Sequence, residues 1–119
     1  MEYMLLFTES AADFAKRIDP EESAAYWGAW SSYAGALASS GIMVSGAGLQ
    51  PPETATTVRI REGKRLVHDG PYAESKEMLG GFFVINVANL DAALDWAARA
   101  PSTEYSSTEI RPVLSPPAA

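Results

Sequence analysis

The sequence predicts an α+β fold of the ferredoxin-like kind, completed by a second copy into a dimeric α+β barrel and carrying an extra β-hairpin. Three observations lead there. The apolar periodicities run in the order β, α, β, hairpin, β, α, β along 119 residues. A β-α-β crossover is right-handed almost without exception, which puts both helices on one face of the sheet. Yet residues 3–8 and 81–87 are apolar on both alternating sides, so the second face needs cover of its own, and a second subunit is the simplest one.

The elements follow in chain order. Tyr3, Leu5 and Phe7 alternate with Met4 and Leu6, the pattern of a central strand covered twice. Asp19-Pro20-Glu21-Glu22 offers a capping carboxylate, a proline at the first helical position and acids in the first turn, which predicts a helix from there over about twenty residues. Tyr26, Trp27, Trp30, Tyr33, Ala34 and Leu37 recur along it at spacings of three and four, and Gly41 is its left-handed C-cap. These rings are expected in the core or in dimer packing, although the same rings could wall an apolar pocket.

Residues 42–49 form a strand ended by Pro51-Pro52. Its Gly46-Ala47-Gly48 is followed by no helix, so it supports no nucleotide fingerprint. Thr56, Val58 and Ile60 alternate with Thr57, Arg59 and Arg61, and Glu62-Gly63-Lys64 turns the chain into Leu66-Val67-His68, a hairpin. Residues 81–87 are the strongest strand. Asn89 then caps a helix with Leu90, Leu94, Ala97 and Ala98 as its buried stripe, stopped by Pro101. Residues 108–113 alternate as a strand that Pro112 confines to a sheet edge. The expected organisation is one domain over residues 1–113 and a flexible Pro- and Ala-rich tail over 114–119.

Nine Lys and Arg against fifteen Asp and Glu give a net charge of −6, which removes long-range attraction to nucleic acid or anionic lipid. No cysteine is present and His68 is the one histidine, so thiolate chemistry and a multi-histidine metal site are excluded and no metal or cofactor is expected. The apolar start is short, follows Glu2 and is not preceded by a basic segment, so the chain reads as cytoplasmic.

The chemistry-bearing stretch is Asp69-Gly70-Pro71-Tyr72-Ala73-Glu74-Ser75-Lys76-Glu77, ahead of Gly80-Gly81 and an apolar strand. Asp69 either stiffens the turn or serves as a general base held at a pocket rim. Glu74 and Glu77 share a face if the segment after Pro71 makes a helical turn. They are then either a solvated ion cluster with Lys76 or a paired acid and base. Gly80-Gly81 admits close backbone approach or forms a bulge. His68 and Asp69 point to opposite faces of a regular strand, which leaves His68 an exposed hairpin residue. Arg59, Arg61 and Arg111 are strand arginines; one aimed into a cavity could hold a carboxylate or phosphate.

Residues 69–83 resemble the signature of the DGPF branch of the YCII-related proteins, with Tyr72 where Phe is usual. The resemblance extends to the opening strand, the Trp-bearing helix, Thr57-Val58-Arg59, residues 92–101 and Arg111-Pro112-Val113. It implies the dimeric α+β barrel and a small-molecule binding protein or enzyme with its pocket between sheet and motif loop. The expected catalytic residues are Asp69, Glu74 and Glu77, with Arg59, Lys76, Tyr72 and Arg111 toward a ligand. Other branches of the superfamily use a His and Asp pair in lyase-type chemistry, which no residue outside the motif supplies here. The alternative it implies is a non-catalytic module beside an extracytoplasmic-function sigma factor.

Overall fold

The computed structural model describes residues 1–71 and 75–116. β1 (Glu2–Ser10) lies between β5 (Glu77–Asn86) and β6 (Ser107–Pro112), and β2 (Met43–Gly48) flanks β5, so the four-stranded antiparallel sheet runs β2-β5-β1-β6. This is the order of a split β-α-β unit with β3 (Thr56–Arg61) and β4 (Lys64–Asp69) inserted between β2 and β5 as a separate two-stranded sheet. Pro112 pairs with Tyr3 on the edge strand, as its missing donor requires.

The inward face of β1 carries Tyr3, Leu5, Phe7 and Glu9, all buried. Leu5 meets Leu37, Ile85, Ala93, Ala97 and Ala100 in the core between the sheet and the two longer helices, α2 (Ser23–Ser40) and α3 (Leu90–Ala98). The opposite sheet face carries Met4 beside Val84 and Leu6 beside Phe82.

The first helical region differs from expectation. A short helix, α1 (Ala11–Ala15), follows β1 directly, nucleated by a capping box in which Asp13 N–H donates to Ser10 Oγ and Ser10 N–H to Asp13 Oδ2. Asp19 caps, but it caps the turn before the helix: its Oδ1 accepts from the amides of Glu21 and Glu22, and α2 begins only at Ser23. α2 ends as expected at Gly41, whose φ of 77° is left-handed.

The predicted stripe of α3 is corrected. Asn89 does cap it, accepting from Ala92 N–H at 3.0 Å. The buried row, however, is Ala93 and Ala97, while Leu90 and Leu94 are each 49% exposed and Ala98 is exposed as well. Small side chains let this helix sit close to the sheet, which turns the leucine row outward. Pro101 also does more than end α3, because it occupies the first turn of α4 (Pro101–Tyr105).

β5 begins at Glu77, four residues before its fully apolar part. Phe7 pairs with Gly81 and Thr8 with Leu79, so Gly80 is the extra residue of a bulge. The β3–β4 turn is tight, with Glu62 at φ 53° and Gly63 at φ 75°, the primed turn type that matches hairpin twist. No helix among the described residues is long and apolar enough to cross a membrane.

Candidate functional site

Glu9 is the polar member of an otherwise apolar strand face. Two positions after Phe7 it must point inward, and it is 1% exposed. An isolated carboxylate there would be prohibitive, so the surrounding chain supplies donors. Arg17, in the turn after α1, places Nη2 2.9 Å from Glu9 Oε1. Tyr26 on α2 puts its hydroxyl within 2.8 Å of both carboxylate oxygens, and Tyr105 on α4 donates to Oε2 at 2.6 Å. The network then closes on itself. Arg17 Nε donates to the Tyr26 oxygen at 3.0 Å, Arg17 Nη2 to Gly80 O at 3.2 Å, and Trp30 Nε1 to the Tyr105 oxygen at 3.3 Å.

The guanidinium of Arg17 also lies 4.8 Å from the Phe14 ring, 5.6 Å from Trp27 and 5.8 Å from Tyr26, a cation–π setting that favours its charge. Burial opposes that charge, but the hydrogen bonds to Tyr26 and Glu9 outweigh it and Arg17 titrates above its ordinary value. Tyr26 is pushed up to about 12, first by burial and then by its bond to the Glu9 carboxylate. Tyr105 is pushed up by the same causes in the same order.

Glu9, Arg17 and Tyr26 of this cluster form the polar part of the lining of a cavity of about 230 Å³ between α2 and the sheet, walled by Phe7, Trp27, Trp30 and Phe83. The rings lean on one another: Phe7 meets Trp30 at 4.9 Å and Phe83 at 5.3 Å, both edge to face. Three glycines make room. A Cβ at Gly80 would stand 2.8 Å from Glu9 Oε1, one at Gly46 would fall 2.1 Å from the Phe83 ring, and one at Gly81 would stand 3.0 Å from Ala47 O. The diglycine is thus both a bulge and a place of close approach.

The motif residues fall elsewhere. Asp69 is exposed at the end of β4, paired with Thr56, and His68 beside it is exposed on the opposite face. The turn is held through Gly70, whose N–H donates to Ala55 O at 2.7 Å and whose carbonyl accepts from Thr57 Oγ1 at 2.8 Å. Gly70 takes φ 108°, which only glycine adopts without strain. Tyr72 and Glu74 lie outside the described residues. Glu77 opens β5, so a helical face shared with Glu74 does not extend to it; it is exposed and accepts from Ser107 Oγ at 3.3 Å.

Lys76 is exposed beside Pro71 and Met78 in a shallow depression. Arg59 is exposed on the hairpin, and Arg111 is 71% exposed in an ion pair with Glu109. None of these described side chains lines the Glu9 cavity. The tryptophans of α2 do. Among the described residues no three His, Asp or Glu side chains gather as a metal site.

Glu9, Arg17 and Tyr105 were not singled out from the sequence. The available signal was Glu9 itself, since extending the alternation of Tyr3, Leu5 and Phe7 by one step puts a carboxylate on the buried face.

Comparison with known proteins defines the class: a family model described as YCII-related domain matches residues 1–115, and the chain belongs to that family. Uncharacterized protein R00369 of Rhizobium meliloti (strain 1021) is 45% identical over 67 residues, 55% of this chain and 54% of that protein. The chain therefore spans about half the length of the curated relative it matches. Among solved structures, 5-chloro-2-hydroxyhydroquinone dehydrochlorinase from Burkholderia phenoliruptrix AC1100, in complex with 2,5-dihydroxybenzoquinone, is similar with a TM-score of 0.55 and 15% identity, over 96% of this chain and 94% of that one. At that identity the likeness is one of fold.

Proposed function

We propose that the chain is a small-molecule binding protein or enzyme whose pocket is the cavity at Glu9, and that it works as a homodimer of the DGPF branch. The observation that carries this is a fully buried carboxylate, bonded by three donor side chains, in the lining of an aromatic-walled cavity. About 230 Å³ suits a ligand of one or two rings. Glu9 and Arg17 cancel each other's charge, so the part of the ligand that enters is uncharged; a carboxylate or phosphate would be desolvated there without a counterion. The fold neighbour's complex with a dihydroxybenzoquinone supports a ligand of this size. Homodimer formation is supported by the partly exposed Met4, Leu6 and Phe82, which lie beside the buried Val84 on the sheet face opposite the helices.

Trp27 and Trp30 report on the pocket directly. Titration with uncharged ring compounds such as catechol or 1,4-dihydroxybenzene is expected to quench tryptophan fluorescence saturably, while benzoate does not. Ala34→Trp, which fills the cavity from α2, is expected to abolish the quenching, and Asp69→Asn to leave it intact. Saturable quenching that persists in the Ala34→Trp protein, or none at millimolar ligand in the wild type, overturns the assignment.

A further inference from the structure

The β3–β4 hairpin is built unlike the rest of the molecule. Among the described residues its strands pair only with each other, and a lone two-stranded ribbon is marginal in water. Cross-strand pairing of Val58 with Val67, and of Ile60 with Arg65, puts three large apolar side chains on one face. They are 60%, 59% and 59% exposed for Val58, Ile60 and Val67. The Cα radius of gyration is 16.4 Å, against about 13.5 Å for a compact chain of this length. An apolar ribbon held away from the body is a surface awaiting a partner.

Charge indicates which partner. Residues 56–69 hold Arg59, Arg61, Lys64 and Arg65, four of the nine basic residues, but only Glu62 and Asp69 of the fifteen acids. The hairpin is therefore +2, and the total of −6 leaves −8 on the remainder of the chain. A basic apolar arm on an acidic body is complementary to that same body in another copy.

We infer that the β3–β4 hairpin is a clasping arm that docks its Val58, Ile60 and Val67 face on the body of a second copy of this chain. The inference rests on the homodimer proposed above and adds the element that secures it. Arm docking buries the apolar stripe together with Arg65, which shares its face through the pairing with Ile60, while Lys64 pairs with Arg61 on the other face and acts only through the net charge of the arm. The association therefore weakens with salt.

The absence of cysteine makes Ile60→Cys a unique handle. That protein, labelled with a maleimide benzophenone and mixed with isotopically heavy wild type, is irradiated and its cross-linked peptides identified. The expected result is light-to-heavy cross-links from position 60 to residues outside 56–69. Cross-links confined to the same chain, or to the other copy's hairpin, overturn the inference. The paired variant Lys64→Glu with Arg65→Glu, both far from the core, is expected to raise the dimer dissociation constant about tenfold or more at low salt. An unchanged constant also overturns it. Sedimentation of the wild type separates the two readings: a monomer defeats the homodimer itself, whereas a dimer with no arm cross-links defeats only the clasp.

Discussion

The Glu9 cluster and the hairpin with its Asp69-Gly70-Pro71 turn are two polar regions built on opposite principles. At Glu9 the carboxylate is buried and matched: it takes donors from the partly buried Arg17 and from Tyr26 and Tyr105, which come from three different elements. In the hairpin the charges are exposed and contiguous in sequence, with β3 and β4 presenting almost every side chain to solvent. A contiguous motif is conspicuous because its residues are neighbours in the chain. A buried site is inconspicuous because its members are 8 to 96 positions apart. Energetic weight follows burial, since an unmatched buried charge costs several kcal/mol while exposed pairs contribute about 1 kcal/mol or less.

The contrast is open to direct attack. Glu9→Ala leaves Arg17 charged in a largely buried setting and takes the acceptor from two tyrosines, so it is expected to cost about 3–5 kcal/mol in urea unfolding. Glu9→Gln keeps one acceptor oxygen and should recover part of that. If Glu9→Ala melts like the wild type, the cluster is not what holds α1, α2 and α4 to the end of β1.

Alkaline titration tests the same cluster without mutation. Tyr26 is held up to about 12 and Tyr105 is also raised, as is Tyr33, which lies outside the cluster and donates to Trp96 O, with burial the first cause in each. A raised folded value means the unfolded chain releases its protons first. The stabilisation is thus fully present below pH about 10 and is lost as pH rises toward 12. Phenolate absorbance should show these three of the five tyrosines ionising late and together with unfolding. Ionisation of all five near pH 10 in a protein still folded by circular dichroism contradicts the network.

Asp69→Asn should do least. The residue is exposed at a strand end and the turn is pinned through Gly70, so a change within about 0.5 kcal/mol is expected in the same urea experiment. A loss comparable to that of Glu9→Ala would erase the distinction between the two regions.

Much of the architecture was readable locally. The two-sided apolar pattern of residues 3–8 marked a central strand, Gly41 and Asn89 marked helix ends, Glu62-Gly63 marked the hairpin, and Pro112 marked an edge. Each is a preference of the backbone itself or of a period set by it. Boundaries shifted where two local signals competed, as when Asp19 capped a turn and α2 waited until Ser23. In α3 the expected Ala97 is buried but Leu90 and Leu94 are not, although they are more hydrophobic than Ala93, which takes their place; the packing distance to the sheet selects small side chains over large apolar ones.

The sequence by itself determined the family, the order of elements and the pattern that turns Glu9 inward, because backbone conformation and side-chain alternation are set within a few residues. Which donors meet that carboxylate was decided only in three dimensions. Arg17 and Tyr26 arrive through the path of the turn after α1, Tyr105 arrives from α4 across 96 positions, and Gly80 clears the space through a bulge in β5. No local preference encodes those meetings; they follow from burying a charge that must find partners once water is gone.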